Sequence, residues 1–110
     1  MSKHMNDIQE KNREMTRRIV RRFNPERIIL FGSHARGNAG PDSDVDLLVV
    51  VPVHGSKRDK AVEIGVALHG IRVPKDIIVT TPEDFEWRRD IAGTIEMPAD
   101  KEGRVLYARK

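Results

Sequence analysis

Asp44 and Asp46 stand two residues apart at the head of the apolar run Leu47 to Val51. If that run is a strand, both carboxylates leave the same face, while Val45 and Leu47 point the other way, toward a core. Carboxylates this close repel and raise each other's pKa unless something positive lies between them. A divalent ion with oxygen ligands, Mg²⁺ or Mn²⁺, is the natural counter-charge. Taken alone, Asp-x-Asp reads first as the polar face of an edge strand. Ahead of the pair, Gly32 permits a tight turn, and Ser33 offers a hydroxyl and a backbone N–H at the start of a helical turn. That arrangement suits a phosphate oxygen. A phosphate cradle beside paired carboxylates is the equipment of metal-assisted phosphoryl or nucleotidyl transfer, in which two ions hold the attacking and leaving oxygens in line. Asp76 opens a later apolar stretch and supplies a third carboxylate, placed to ligate an ion and accept a proton.

The elements that must position these groups can be read along the chain. Residues 6–23 form an amphipathic helix on Ile8, Met15, Ile19 and Phe23, with Asn6 or Asp7 as its cap and Asn24-Pro25 as its end. Arg27 to Phe31 is a short strand, and residues 32–43, rich in glycine and including Pro41, are a loop with room for one helical turn. Asp44 to Val51 is the second strand, covered on both faces over Leu48 to Val51. Ser56 to Ile71 reads as a helix with Ser56 and Asp59 at capping-box spacing and Gly70 near its end. Asp76 to Thr80 is the third strand, Pro82 to Trp87 begins a helix, and Arg104 to Tyr107 is a last short strand. The expected class is α/β (α+β), a small mixed sheet with helices packed on it, in one domain spanning 1–110.

The chain has 110 residues, 38% hydrophobic and 34% charged, with 20 basic and 17 acidic side chains for a net charge of +3. That length suffices for a real core. The longest apolar run, Leu47 to Val53, is too short to span a bilayer, and the N-terminus turns polar at once. The expectation is a cytoplasmic protein with no membrane partner. The absence of cysteine excludes disulfides, thiolate metal sites and a cysteine nucleophile. Residues 11–22 carry Lys11, Arg13, Arg17, Arg18, Arg21 and Arg22 against Glu14 alone. Such a run serves either as a solvated helix face with pairs such as Glu14–Arg18, or as a patch for nucleic acid or an acidic partner. No aromatic residue is interleaved to stack on bases, so nucleic acid is not the expected substrate. The histidines at 4, 34, 54 and 69 show no ligand spacing, and His34 lies in the loop, facing solvent or touching a nucleotide. Trp87 and Tyr107 are expected as core or edge anchors.

The Gly-Ser pair, ten intervening residues, Asp-x-Asp and a later lone Asp opening an apolar strand resemble the nucleotidyltransferase superfamily of the polymerase-beta type. The Gly-Ser-x-Ala-Arg-Gly loop, the small size and the ending Glu-Gly-Arg-Val-Leu-Tyr look like its minimal nucleotidyltransferase (MNT) branch, from about Pro25 to Arg109. The resemblance implies the nucleotidyltransferase fold, with Asp44 and Asp46 shared between two Mg²⁺ ions and Asp76 as third ligand and base. It places Gly32 and Ser33 on the β- and γ-phosphates of a nucleoside triphosphate. Arg36 would brace the loop, face the phosphates, or pair with Asp42 or another acid. Ser43 would order the loop, and Asp42 would be a turn residue. Lys75 departs from the apolar residue such proteins often carry there; by strand alternation it should point away from the metals.

Larger members carry a further domain for the acceptor, for which this chain has no room. The resemblance therefore implies a partner, or a second copy of the chain in a homo-oligomer. MNT proteins pair with a small helical HEPN ribonuclease in toxin–antitoxin systems. On that footing the chain would be the antitoxin and would transfer AMP from ATP to a tyrosine hydroxyl of the HEPN toxin. Two alternatives stand beside this: an antitoxin acting by contact alone, and a small-molecule transferase of the aminoglycoside type.

Overall fold

The structure is a computed structural model that describes residues 3–40 and 42–110, with 3–6 described by backbone alone. Pro41 of the expected loop therefore lies outside the described residues. Among the described residues, five helices and four strands follow in the order α1 (Lys3–Phe23), β1 (Arg27–Phe31), α2 (Ser33–Arg36), β2 (Val45–Val50), α3 (Lys57–Ala67), β3 (Lys75–Thr80), α4 (Pro82–Arg88), α5 (Glu96–Glu102) and β4 (Arg104–Ala108). The four strands form one sheet in the order β3-β2-β1-β4. β1 runs antiparallel to both β2 and β4, whereas β2 and β3, linked by the crossover helix α3, are parallel. The expected mixed sheet is thus present.

Alternation along β2 divides the interior into two layers. Val45, Leu47 and Val49 face Met15 and Ile19 of α1 and Ile64 of α3, all fully buried. Leu48 and Val50 face the other way, with Ile29 and Phe31 of β1, against Phe85 of α4 and Ala99 of α5. Asp46 belongs to this second face by the same period of two. A strand covered on both sides must be apolar at successive positions, which is what Leu47 to Val51 supplies.

Several boundaries differ from the sequence reading, each for a local reason. α1 begins at Lys3, so Asn6 and Asp7 lie inside the helix and neither caps it. It ends where Asn24 turns left-handed at φ 47°, a conformation asparagine tolerates. α3 starts as expected: the Ser56 hydroxyl accepts the Asp59 N–H at 3.0 Å. It stops at Ala67, four residues early, because Leu68 to Gly70 turn toward β3 and Gly70 sits at φ 92°. α5 is a helix the sequence reading omitted. Pro98 occupies its first turn, where the missing N–H has no intrahelical acceptor anyway. The Thr94 hydroxyl accepts the Met97 N–H at 3.2 Å and begins the helix.

The basic run on α1 is used partly for tertiary ties. Arg18 donates to Glu14 at 2.9 Å and to the His69 carbonyl at 2.8 Å, and Lys11 donates to the Arg72 carbonyl at 2.7 Å. These cations hold the turn between α3 and β3 against α1. Tyr107 packs on the first core as an edge anchor, paired with Ile28. Trp87 does not: it is 57% exposed, donates its indole N–H to Asp84, and is stacked by Arg88. The expectation of a core or edge anchor is therefore corrected for Trp87, because its ring lies on the outer side of α4, away from buried Phe85.

On the second face, α5 crosses β1 so closely that Gly103, at the junction with β4, has no room for a side chain. A Cβ there would collide with the Ala99 carbonyl and lie 2.6 Å from Ile29 Cγ2 and 2.9 Å from the Leu30 carbonyl. Two of these three are backbone atoms of a helix and a strand, and neither can move without breaking its element. Gly103→Ala is expected to cost about 1–3 kcal/mol, measured as a lower urea midpoint with an unchanged slope.

Candidate active site

The three aspartates meet through the sheet. Asp46 is the second residue of β2, and its partner in the parallel ladder is Asp76, the second residue of β3. Neighbouring strands lie about 4.8 Å apart, so the two carboxylates leave the α4–α5 face side by side. Asp44 sits one residue ahead of β2 rather than within it. The Val45 N–H donates to the Pro74 carbonyl at 2.8 Å, which keeps the approach to β2 beside the approach to β3. Asp44 and Asp76 are exposed and Asp46 is half-buried.

Across from Asp46 on its other side stands Phe31, the last residue of β1. The chain then turns sharply through Gly32, at φ 76°, into the four-residue α2. A Cβ on Gly32 would strike Oδ2 of Asp46, so the turn lies directly against the carboxylate. Both the positive φ and the close approach require glycine here. The Gly32 carbonyl accepts the N–H groups of Ala35 and Arg36, each at 3.1 Å. The leading N–H groups of α2, beginning at Ser33, are left without internal acceptors, as at any helix start. The turn that the residues promised for phosphate and the carboxylates that they promised for metal thus adjoin.

The charge balance at Asp46 records this neighbourhood. Its pKa is raised above the usual carboxylate value, first by burial and then by the negative charges of Asp76 and Asp44; His34 and Arg36 oppose the rise. Arg36 is exposed and, among the described residues, makes no ion pair with Asp42 or another acid. Its charge is felt at Asp46 across the turn. Lys75 turns to the opposite face, donating to the Ile71 and Val73 carbonyls at 3.0 and 3.3 Å. Strand alternation carries its ammonium away from the aspartates. Ser43 orders the loop: its hydroxyl accepts the Gly40 N–H at 2.9 Å, and its own N–H donates to the Gly40 carbonyl at 3.2 Å.

Sequence reasoning left His34 open between solvent and nucleotide. Its ring Nε2 lies 3.0 Å from the Ser43 carbonyl, so it spans from α2 to the residue before Asp44. The two are nine positions apart in sequence, and nothing in their spacing announced the contact.

Among the described residues, no three His, Asp or Glu side chains are gathered tightly enough to form a ready-made metal site. Three like charges on neighbouring backbones favour splayed side chains. Asp44 and Asp76 are exposed and have room to turn toward Asp46. The donors are all carboxylate oxygens, with no thiolate or imidazole ligand, which fits Mg²⁺ or Mn²⁺ rather than zinc.

The raised pKa has a definite sign in stability. The folded chain keeps the Asp46 proton to a higher pH than the unfolded chain does. This contribution is complete in acid and is lost as pH rises through the elevated value. Asp46→Asn, nearly isosteric, removes the repulsion. It is expected to be more heat-stable than the parent at pH 7.5, with the gap closing at pH 3.5, measured by thermal melts in metal-free buffer.

Comparisons with known proteins show the family and the fold. The family described as nucleotidyltransferase domain matches residues 13–100. A Sulfolobus solfataricus structure carrying a provisional nucleotidyltransferase designation superposes with a TM-score of 0.67 at 21% identity, covering 94% of this chain and 84% of that one. A structure described as a toxin–antitoxin with AMP-PNP superposes with a TM-score of 0.56 at 18% identity, covering 90% of this chain and 75% of that one. A search of curated protein sequences found no match. No helix among the described residues is long and apolar enough to cross a membrane.

Proposed function

The chain belongs to the nucleotidyltransferase domain family, and on that premise we propose that it transfers AMP from ATP to a tyrosine hydroxyl of a partner protein. The observation that carries this reading is the contact of the Gly32 turn with Asp46, itself in register with Asp76. A seat for a polyphosphate and an acidic cluster for the metal of its complex are thereby adjacent. The fold neighbour described as a toxin–antitoxin contains AMP-PNP, an adenine nucleotide analogue, which supports an adenylyl donor and a toxin acceptor. We take the acceptor to be a HEPN-type ribonuclease toxin, with this chain as its antitoxin.

Asp44, Asp46 and Asp76 are the residues that would hold Mg²⁺. When bound, the ions would neutralise the charge that develops on the triphosphate during transfer. The rest falls to the chain. Gly32 brings backbone N–H groups up to the β- and γ-phosphates without a side chain in the way, and the Ser33 hydroxyl adds a donor. Arg36, unpaired by any acid among the described residues, adds positive charge on the same side. Asp76, on the exposed rim of the sheet, accepts the proton of the attacking hydroxyl. The tyrosine oxygen bonds to the α-phosphorus as the bond from that phosphorus to the bridging oxygen breaks, and pyrophosphate leaves. The open rim around Asp44 and Asp76 leaves the acceptor to come from another molecule.

Incubation with Mg²⁺, α-labelled ATP and the protein encoded beside this chain tests the reading. Label is expected on a tyrosine of that neighbour. Asp44→Asn with Asp46→Asn should lower labelling on the order of 100-fold or more, the scale of losing transition-state charge stabilisation, while leaving the complex intact. Neutralisation of the neighbour by the double variant, without label from the parent, would instead make this a contact antitoxin. Label on an added aminoglycoside alone would identify a small-molecule transferase.

A further inference from the structure

Asp44 poses a positional problem that the sheet does not solve. It precedes β2, is exposed, and makes no side-chain hydrogen bond among the described residues. Its carboxylate can share an ion with Asp46 only if the backbone on its upstream side is held as firmly as β2 is downstream. Downstream, the Val45 N–H is fixed to the Pro74 carbonyl at 2.8 Å. Upstream, the fixed point is the Ser43 carbonyl, 3.0 Å from His34 Nε2. The Gly40–Ser43 bonds close that turn upon itself and, among the described residues, tie it to no other element. His34 is the second residue of α2, immediately after Ser33, so its ring links the turn that seats phosphate to the backbone that carries Asp44.

We propose that His34 is a positioning residue: by donating its Nε2–H to the Ser43 carbonyl, it sets Asp44 for metal binding against Asp46 and Asp76. The proposal rests on the metal-binding reading of the three aspartates given above. It requires a proton on Nε2, because a carbonyl can only accept. It also gives the turn two tasks, since loosening α2 would release Asp44 as well as the phosphate seat. Outer partners that orient metal ligands typically contribute about 10- to 100-fold in metal affinity. His34 acts through one intervening backbone unit, so an effect near the lower end is expected.

The test uses Mn²⁺ alone as probe, without nucleotide, and electron paramagnetic resonance to count free ion. The parent is expected to bind Mn²⁺, and Asp44→Asn with Asp46→Asn to lose that binding. His34→Ala should weaken binding by about 10-fold, with the circular dichroism melt still cooperative. His34→Gln, which keeps a side-chain N–H donor, should recover most of the affinity, whereas His34→Leu, similar in bulk without a donor, should not. A parent that binds no Mn²⁺ at these aspartates would overturn the metal-binding reading itself. Parent-like affinity in His34→Ala, or equal loss in His34→Gln and His34→Leu, would overturn the positioning role while leaving that reading in place. Should His34→Ala fail to fold, the contrast between Gln and Leu decides the matter.

Discussion

Asp46 is held where burial and two neighbouring carboxylates oppose its charge. The parallel register of β2 and β3 places it beside Asp76, the approach to β2 places Asp44 two residues away, and the Gly32 turn presses on its carboxylate from β1. Backbone pairing sets Asp46 beside Asp76 and beside Phe31, the residue before the Gly32 turn. The sheet stabilises this arrangement through the apolar residues that continue the same strands. Leu48 and Val50 below Asp46, and Ile78 below Asp76, pack toward Phe85 and Ala99. The core of the second face therefore fixes the register on which the acidic cluster depends. Repulsion among the aspartates is offset by burial further along the same strands, and a bound cation is the agent that would relieve it at its source.

The two faces of the sheet divide the labour. Helices α1 and α3 cover the first face with Met15, Ile19, Ile64 and Leu68, and bind the α3–β3 turn through Arg18 and Lys11. This layer sets where β3 begins, and so where Asp76 falls. Helices α4 and α5 cover only part of the second face, leaving the ends of β2 and β3 that bear the aspartates exposed to solvent. Arg89 donates to Asp100 at 2.7 Å and joins these two short helices, and this guanidinium holds the Asp100 carboxyl below its usual range. Gly103 then lets α5 pass against β1 and deliver β4 to the free edge.

Much of this was legible in residue types. The unbroken apolar residues Leu47 to Val51 specified a strand buried on both faces, and Gly32 with Asp44 and Asp46 pointed to a tight turn near paired carboxylates. What could not be read were facts of distance between segments. The register of Asp46 against Asp76 depends on where α3 ends, and α3 ends early because of a turn whose carbonyls bind cations on α1. The tie from His34 to Ser43 closes a loop whose sequence carries no pairing signal. Helix α5 is short and carries Pro98 in its first turn, so its seven residues give little helical signal. Trp87 was misplaced because its size predicts burial, whereas its neighbours Asp84 and Arg88 satisfy it at the surface.

The central claim is that one seat holds the triphosphate and its metal together. Crystals grown with Mn²⁺ and a non-hydrolysable ATP analogue address it most directly, through the anomalous signal of manganese. Anomalous peaks are expected between Asp44, Asp46 and Asp76, with the β- and γ-phosphates against Gly32 and Ser33. An analogue bound elsewhere, or well-ordered phosphates at Gly32 without manganese at the three aspartates, would contradict it.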